Sequence, residues 1–415
     1  MQTVHQICCG LDVHKRTVTA CLLTTGPRGR TEKTLRTFGT MTRDLEDLAA
    51  WLQAAGCRHA AMESTGVYWK PVYNVLERVC EQVLLINAQH IKHVPGRKTD
   101  MKDAEWIATL LAHGLLTGSF VPPPEIRELR ELTRYRQTLI QERARLANRL
   151  QKLLEGGNIK LASVVSDVLG KSGRDMLAAL ARGEQDLDAM AALARGRLRS
   201  KIPQLVEALR GVLSETQRWL LGEQLREVAH LDESIERLNR QVEALCRPFR
   251  EVLQRLCEIP GVNQRVAEVI VAEIGLDMSR FPTASHLASW TGICPGNHES
   301  AGKRQSGRCR QGNRHLKAIL TEAGWAAGRT KDTYLASKYQ SLVRRRGRKK
   351  ACLAVGHAVL KIAHHLIAHP EDRYRDLGPG WLDQFRQQAV TAHLVKRLEA
   401  LGYNVQLEQR PNNAA

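Results

Sequence analysis

Four carboxylates have the types and spacings that phosphoryl-transfer chemistry needs: Asp12 in Gly-Leu-Asp-Val-His-Lys, Glu63 in Met-Glu-Ser-Thr-Gly, and Asp100 with Asp103 in Lys-Thr-Asp-Met-Lys-Asp-Ala-Glu. A strand-borne Asp, an acid at the end of a second strand and two acids one helical turn apart can converge on divalent ions beside a phosphodiester. Residues three apart on a helix share a face, so Asp100 and Asp103 can point at one site. An oxygen-only set without His or Cys suits Mg2+, with Mn2+ as the alternative, better than zinc. Any one acid alone reads more simply as a strand end, a helix cap or an ion-pair partner; four at the places one topology requires reverse that balance. Far downstream, Ser300 lies in a basic, Gly-rich stretch, and Ser306 in Gln-Ser-Gly is a second candidate nucleophile. A serine hydroxyl is weak until its proton is removed or its electrophile is activated, and metal ions on the acids could supply the activation.

The elements that must position the acids follow from pattern. Ile7 to Val13 reads as a buried strand, Thr17 to Thr24 alternates like its hairpin partner, and Thr34 to Thr40 can add a third strand. Asp44 to Ala55 has helical spacing, with Leu45, Leu48, Ala49 and Leu52 on one face. His59 to Met62 delivers Glu63 to a strand end, Val67 to Cys80 is a second helix, and Gln82 to Asn87 a fifth strand. Asp100 and Asp103 open a last helix that continues through Trp106, Ile107, Leu110 and Leu111. This order is that of an α/β RNase H-like, or RuvC-like, layer.

Sixty-two Lys plus Arg against 43 Asp plus Glu give a net charge of +19, and the pI is about 9.8. That surplus favours a polyanionic partner, because neutralised phosphates release condensed counterions. A membrane surface is the competing polyanion, but Leu353 to Ala368 carries Lys361 and several His, so no spanning helix and no membrane partner is expected. The amino terminus shows no secretory signal. Ten cysteines form no CxxC pair, which fits small apolar packing in a reducing cytoplasm. With aromatics at only 5%, base stacking on many aromatic platforms is not expected to dominate recognition.

Pro122, Pro123 and Pro124 mark the first boundary, closing a catalytic domain over 1–124. A helical, coiled-coil region over 125–255 follows, expected to join protomers as a homodimer or homotetramer, with Leu129, Leu132, Leu139, Leu146, Leu150 and Leu153 along one side. A heptad seam then runs from Val228 through Leu231, Ile235, Leu238 and Val242 to Leu256, which could close on the earlier helix or join two protomers. The third part, 256–370, opens on Ile259-Pro-Gly-Val262, a turn resembling a helix-hairpin-helix. Such a turn can offer backbone N–H groups to phosphate, although Asn263 replaces the usual second glycine and a purely structural turn is an equal alternative. The stretch from Gly292 to about Asn313 is loop-like, and Lys303, Arg304, Arg308, Arg310 and Arg314 can contact phosphate. The densest cluster is Arg344, Arg345, Arg346, Arg348, Lys349 and Lys350, read as a backbone contact rather than a solvated face. Lys15, Arg97, Lys98 and Lys102 add charge beside the acids. Residues 371–415 form a tail of little motif content.

Together these residues resemble the DEDD insertion-sequence transposases of the IS one-ten (IS110) family, in its IS eleven-eleven branch. The resemblance rests on the motifs around Asp12, on Glu63-Ser-Thr-Gly-Val-Tyr-Trp, on Lys-Thr-Asp100-Met-Lys-Asp103-Ala, on the Ile-Pro-Gly-Val turn, and on Ser300-Ala-Gly-Lys with Gly-Asn-Arg-His-Leu-Lys. It spans roughly residues 5 to 365. It implies a RuvC-like domain, a coiled coil and a mainly helical transposase domain. It further implies that the four acids bind Mg2+ while Ser300 attacks double-stranded DNA at donor and target sites, forming a covalent phosphoserine link. Relatives combine protomers as a homodimer or homotetramer and use a structured non-coding guide (bridge) RNA from the element itself. Piv-type DNA invertases resemble the same family, so inversion is an alternative outcome. A RuvC-like structure-selective endonuclease with water as nucleophile is the nearest rival, and a non-catalytic nucleic-acid-binding assembly protein is the rival of another class.

Overall fold

The computed structural model describes residues 3–26, 30–64, 66–87, 103–296, 298–300, 302–385 and 387–408, and the chain divides into two compact units, Met1–Val121 and Pro122–Ala415. In the first unit, apolar runs punctuated by turn residues form β1 (Ile7–Val13), β2 (Thr17–Thr25), β3 (Thr31–Gly39), β4 (His59–Glu63) and β5 (Gln82–Ile86), with α1 (Thr42–Ala54), α2 (Trp69–Leu76) and α3 (Asp103–Ala112). The sheet order is β3-β2-β1-β4-β5; β1–β2 and β2–β3 are antiparallel, β1–β4 and β4–β5 parallel. This mixed five-stranded sheet followed by a helical region is compatible with an RNase H-like domain.

Both faces of β1 are buried, so it reads as a continuous apolar run rather than an alternating one. Cys9, Leu11 and Val13 enter a core with Leu45, Leu48 and Leu52 of α1 and with Leu76 of α2. Cys8 faces the other way, into a core with Ala104, Ile107, Ala108 and Leu111 of α3. Between them, a Cβ on Gly10 would lie 2.2 Å from the Ala104 carbonyl oxygen and 2.3 Å from the Ala108 nitrogen. Only glycine lets α3 lie this close to the strand. Burial pushes the thiols of Cys8 and Cys57 up to about 12, so both act as neutral packing groups.

The second unit is helical. α4 (Pro124–Gly156) and α9 (Glu215–Cys246) run antiparallel, since Arg136 pairs with Asn239 while Arg143 pairs with Asp232. Between them lie α5 (Leu161–Val164), α6 (Lys171–Arg182), α7 (Leu187–Ala192) and α8 (Ile202–Leu209), which pack over the far end of the pair. The heptad stripe therefore closes within the chain: Val228, Leu231 and Ile235 share one core with Leu139, Leu146, Leu150 and Leu154. The stripe is also shorter than its sequence spacing suggests. Pro248 has no N–H to continue the ladder, so α9 ends at Cys246 and Leu256 belongs to a new helix, α10 (Arg250–Cys257).

α11 (Gln264–Ile274), α12 (Ala284–Thr291), α13 (Arg314–Ala327), α14 (Tyr334–Arg346) and α15 (Arg348–Ala368) complete the packed part of this unit. α15 has the length and apolarity of a membrane span, but 56% of that window is buried, with Val355, Val359, Ala363 and Leu366 inward, as in a core helix. The C-terminal tail, of little motif content, carries α16 (Trp381–Phe385) and α17 (Gln387–Ala400).

Candidate functional site

Strand register brings Asp12 and Glu63 together. Leu11 of β1 is paired with Met62 of β4, so the next residues, Asp12 and Glu63, lie side by side at the ends of two parallel strands. Alternation gives both the same face: Cys8 and Ala61, each an even step from these acids, pack in the core that contains α3. The direction of α3 follows from its contacts. Cys8 meets the Ala108 carbonyl and Gly10 meets Ala104, so the helix runs against β1 and its N-terminal end overlies the Asp12 end of the strand. Asp103 is the first residue of α3, while Glu105 turns to Lys33 of β3 at 2.8 Å. Helical periodicity puts Asp103 on the side away from Lys33, towards β4. Asp12 is partly open, with its side chain 24% exposed, and His14 Nε2 lies 3.2 Å from its Oδ2.

Asp100, with Arg97, Lys98 and Lys102, lies outside the described residues. Among the described residues no three His, Cys, Asp or Glu are grouped closely enough to hold a metal ion. The donors that register does bring together, Asp12 and Glu63, are carboxylates, and that chemistry fits a hard divalent cation. The His14 contact has only a weak signal in the sequence, a histidine two residues after Asp12 and just past the end of β1.

The stretch carrying Ser300, expected as a loop, contains a small antiparallel hairpin, β6 (His298–Ser300) and β7 (Lys303–Ser306). Ser300 pairs with Lys303 across a tight turn in which Gly302 has φ +72°, whereas Ser306 pairs with His298 at the open end. The two candidate serines therefore occupy opposite ends of the hairpin, and their side chains lie outside the described residues. Arg308, Arg310 and Arg314 follow, all exposed. Arg344 to Arg346 end α14 and Arg348 to Lys350 begin α15, so the densest basic run straddles one turn.

A buried ionic cluster beneath this segment was missed. Glu273, fully buried on α11, accepts two 2.7 Å hydrogen bonds from Arg134 of α4 and one of 2.6 Å from Asn313. Asn313 in turn caps α13 through the N–H groups of His315 and Leu316, at the point where the Ser300 segment ends. The sequence signal was a carboxylate inside the run Val269-Ile-Val-Ala-Glu-Ile274, where every neighbour is apolar. The Ile-Pro-Gly-Val turn also has a structural role: Gly261, at φ +84°, packs so close to α13 that a Cβ would lie 2.4 Å from the Ala323 carbonyl oxygen. The turn is thus occupied by protein backbone on that side, which favours the structural alternative over phosphate contact.

Two family models match the chain. One, described as a transposase of the DEDD IS110 type, covers residues 9–159; the other, described as a transposase of the IS116/IS110/IS902 family, covers residues 253–340. The chain is 29% identical over 303 residues to an insertion element IS116 protein of Streptomyces clavuligerus, covering 63% of this chain and 73% of that one. It is 30% identical over 252 residues to an insertion element IS110 protein of Streptomyces coelicolor, covering 56% and 61%. A pilin gene-inverting protein of Moraxella bovis is 32% identical over 98 residues, covering 22% and 30%.

Proposed function

The chain belongs to the IS110/IS116 family of DEDD transposases, and from that premise we propose that it cuts and rejoins double-stranded DNA with Asp12, Glu63, Asp100 and Asp103 holding divalent ions and Ser300 as nucleophile. The observation that carries this reading is the parallel register of β1 and β4, which sets Asp12 beside Glu63 on the face overlain by the start of α3. Mg2+ or Mn2+, when bound, activates the phosphate and stabilises the departing oxygen. The Ser300 hydroxyl gives up its proton and bonds to phosphorus. The P–O bond to the departing strand breaks, that strand takes a proton, and a phosphoserine remains to be resolved by the incoming strand. The surrounding Lys303, Arg304, Arg308, Arg310 and Arg314 orient the phosphate and offset its charge.

A denaturing gel of the protein with cognate DNA and Mg2+ tests this assignment. Covalent protein–DNA capture is expected for the parent chain and for Ser306→Ala, and its loss for Ser300→Ala and Asp12→Ala. Full capture by Ser300→Ala would remove the serine from the mechanism, leaving the water-dependent endonuclease.

The net charge of +19 supports a second polyanion as partner. We assign that place to a structured non-coding guide RNA transcribed from the element, and a random cellular mixture among copurifying RNAs would count against it. Protomers pair as a homodimer or homotetramer through surfaces other than the stripe that α4 and α9 bury between them. The match to pilin gene-inverting proteins supports inversion as the alternative outcome of the same chemistry.

A further inference from the structure

The second unit contains a cleft of about 880 Å³ between the end of α9, α10 and the start of α11, floored by Arg136 of α4. Arg247, Arg250 and Arg265 stand exposed at its mouth, and none makes an ion pair among the described residues. Arg265 lies in the first turn of α11, where a cation opposes the helix dipole even though Asn263 caps that end. Arg250 opens α10 directly after the 3-10 turn Arg247–Phe249. An anion at the mouth would offset the charge of all three arginines. Deeper in, Leu253 and Cys246 give a buried apolar wall, while at the rim Gln264 donates its amide to Glu268 and Glu243 adds one exposed carboxylate.

The floor is polar and buried. Arg136 Nη2 and Glu268 Oε2 form an ion pair of 2.8 Å with both side chains almost fully buried. Arg136 Nη1 also donates to Asn239, and Gln264 Nε2 to Glu268 Oε1.

We propose that this cleft binds an unpaired nucleotide, with its flanking phosphates on Arg247, Arg250 and Arg265 and its base against Leu253 and the polar floor. Duplex DNA keeps its bases stacked inside and offers only a convex row of phosphates, whereas a splayed-out nucleotide fits a concave site that combines cations, amides and an apolar wall. Guanidinium planes can supply the stacking that scarce aromatic residues do not. The chemistry is common to a loop of RNA and to a locally melted DNA strand.

The test uses the full chain and fluorescence anisotropy with labelled single-stranded RNA, single-stranded DNA and duplex DNA of equal length. Arg250→Ala/Arg265→Ala should weaken binding of the unpaired strand by about tenfold or more, leave duplex binding within about twofold, and not lower the melting temperature. Equal losses for strand and duplex, or none, would overturn the proposal. Strands carrying 4-thiouridine or 4-thiothymidine should photo-crosslink within 239–268, and crosslinks confined to other regions would also overturn it. Stronger retention of RNA than DNA identifies an RNA loop as the source, and the reverse a melted DNA strand. The readout is binding without strand exchange, so it holds or fails independently of the catalytic assignment.

Discussion

Glu273 illustrates how one buried carboxylate can hold together segments distant in sequence. Burial alone pushes its carboxyl up, but the Arg134 hydrogen bonds, the Arg130 and Arg134 charges and the Asn313 amide outweigh that and hold it below the ordinary glutamate value. Because its pKa is lower folded than unfolded, the unfolded chain binds more protons in that interval. Its stabilisation is therefore complete above the unfolded value, about 4.3, and is lost as pH falls through the folded one. Glu273→Gln leaves Arg130 and the part-exposed Arg134 short of their counter-charge and is expected to cost about 1–3 kcal/mol at neutral pH. It should also flatten the acid limb of the melting-temperature profile below about pH 4.3. Thermal melts from pH 3 to 7 measure both, and an unchanged acid limb would show that another carboxylate dominates acid unfolding. The same substitution loosens the Asn313 cap, so the Ser300 hairpin should lose order along with stability.

At the level of elements, the antiparallel pairing of α4 with α9 decides what the heptad stripe is for. Leu150 is fully buried in the core that the two helices share. Leu150→Ala is expected to cost about 2–5 kcal/mol while the oligomeric mass by light scattering stays as in the parent chain; dissociation by this variant would assign the stripe to a protomer interface instead. The example also marks where the sequence stopped being informative. The strands of the first unit were legible because β1 and β2 are short apolar runs bounded by turn residues, too short for a typical helix, even though Ala20 to Leu23 of β2 are buried in succession rather than in alternation. A stripe on α9, by contrast, states that a partner exists without naming it, and Pro248 cuts the seam before Leu256. The β6–β7 hairpin escaped notice because its Gly- and Arg-rich residues give no apolar alternation to read. Asp12 and Glu63 could be matched from sequence because each ends a strand of one familiar topology. Arg134 and Glu273 are 139 residues apart on helices whose packing no local pattern predicts.

Over the whole molecule, a net charge of +19 makes polyanion affinity depend steeply on salt, and the distribution of that charge can be tested apart from its sum. Arg344 to Arg346 lie in the last turn of α14, where cations favour the helix, whereas Arg348, Lys349 and Lys350 lie in the first turn of α15, where they oppose it. All six are exposed, so burial gives the second trio no compensation. Replacing Arg348, Lys349 and Lys350 by Ala should therefore preserve or raise the melting temperature, by relief of about 0.3–1 kcal/mol for each unfavourable charge. If the trio contacts DNA phosphates, the same variant should bind duplex DNA more weakly and reduce the slope of log affinity against log salt by about 2 to 3. Titrations at several salt concentrations measure that slope directly. An unchanged slope with a raised melting temperature would reduce the run to a solvated face, while a lowered slope would place the α14–α15 turn on the DNA path.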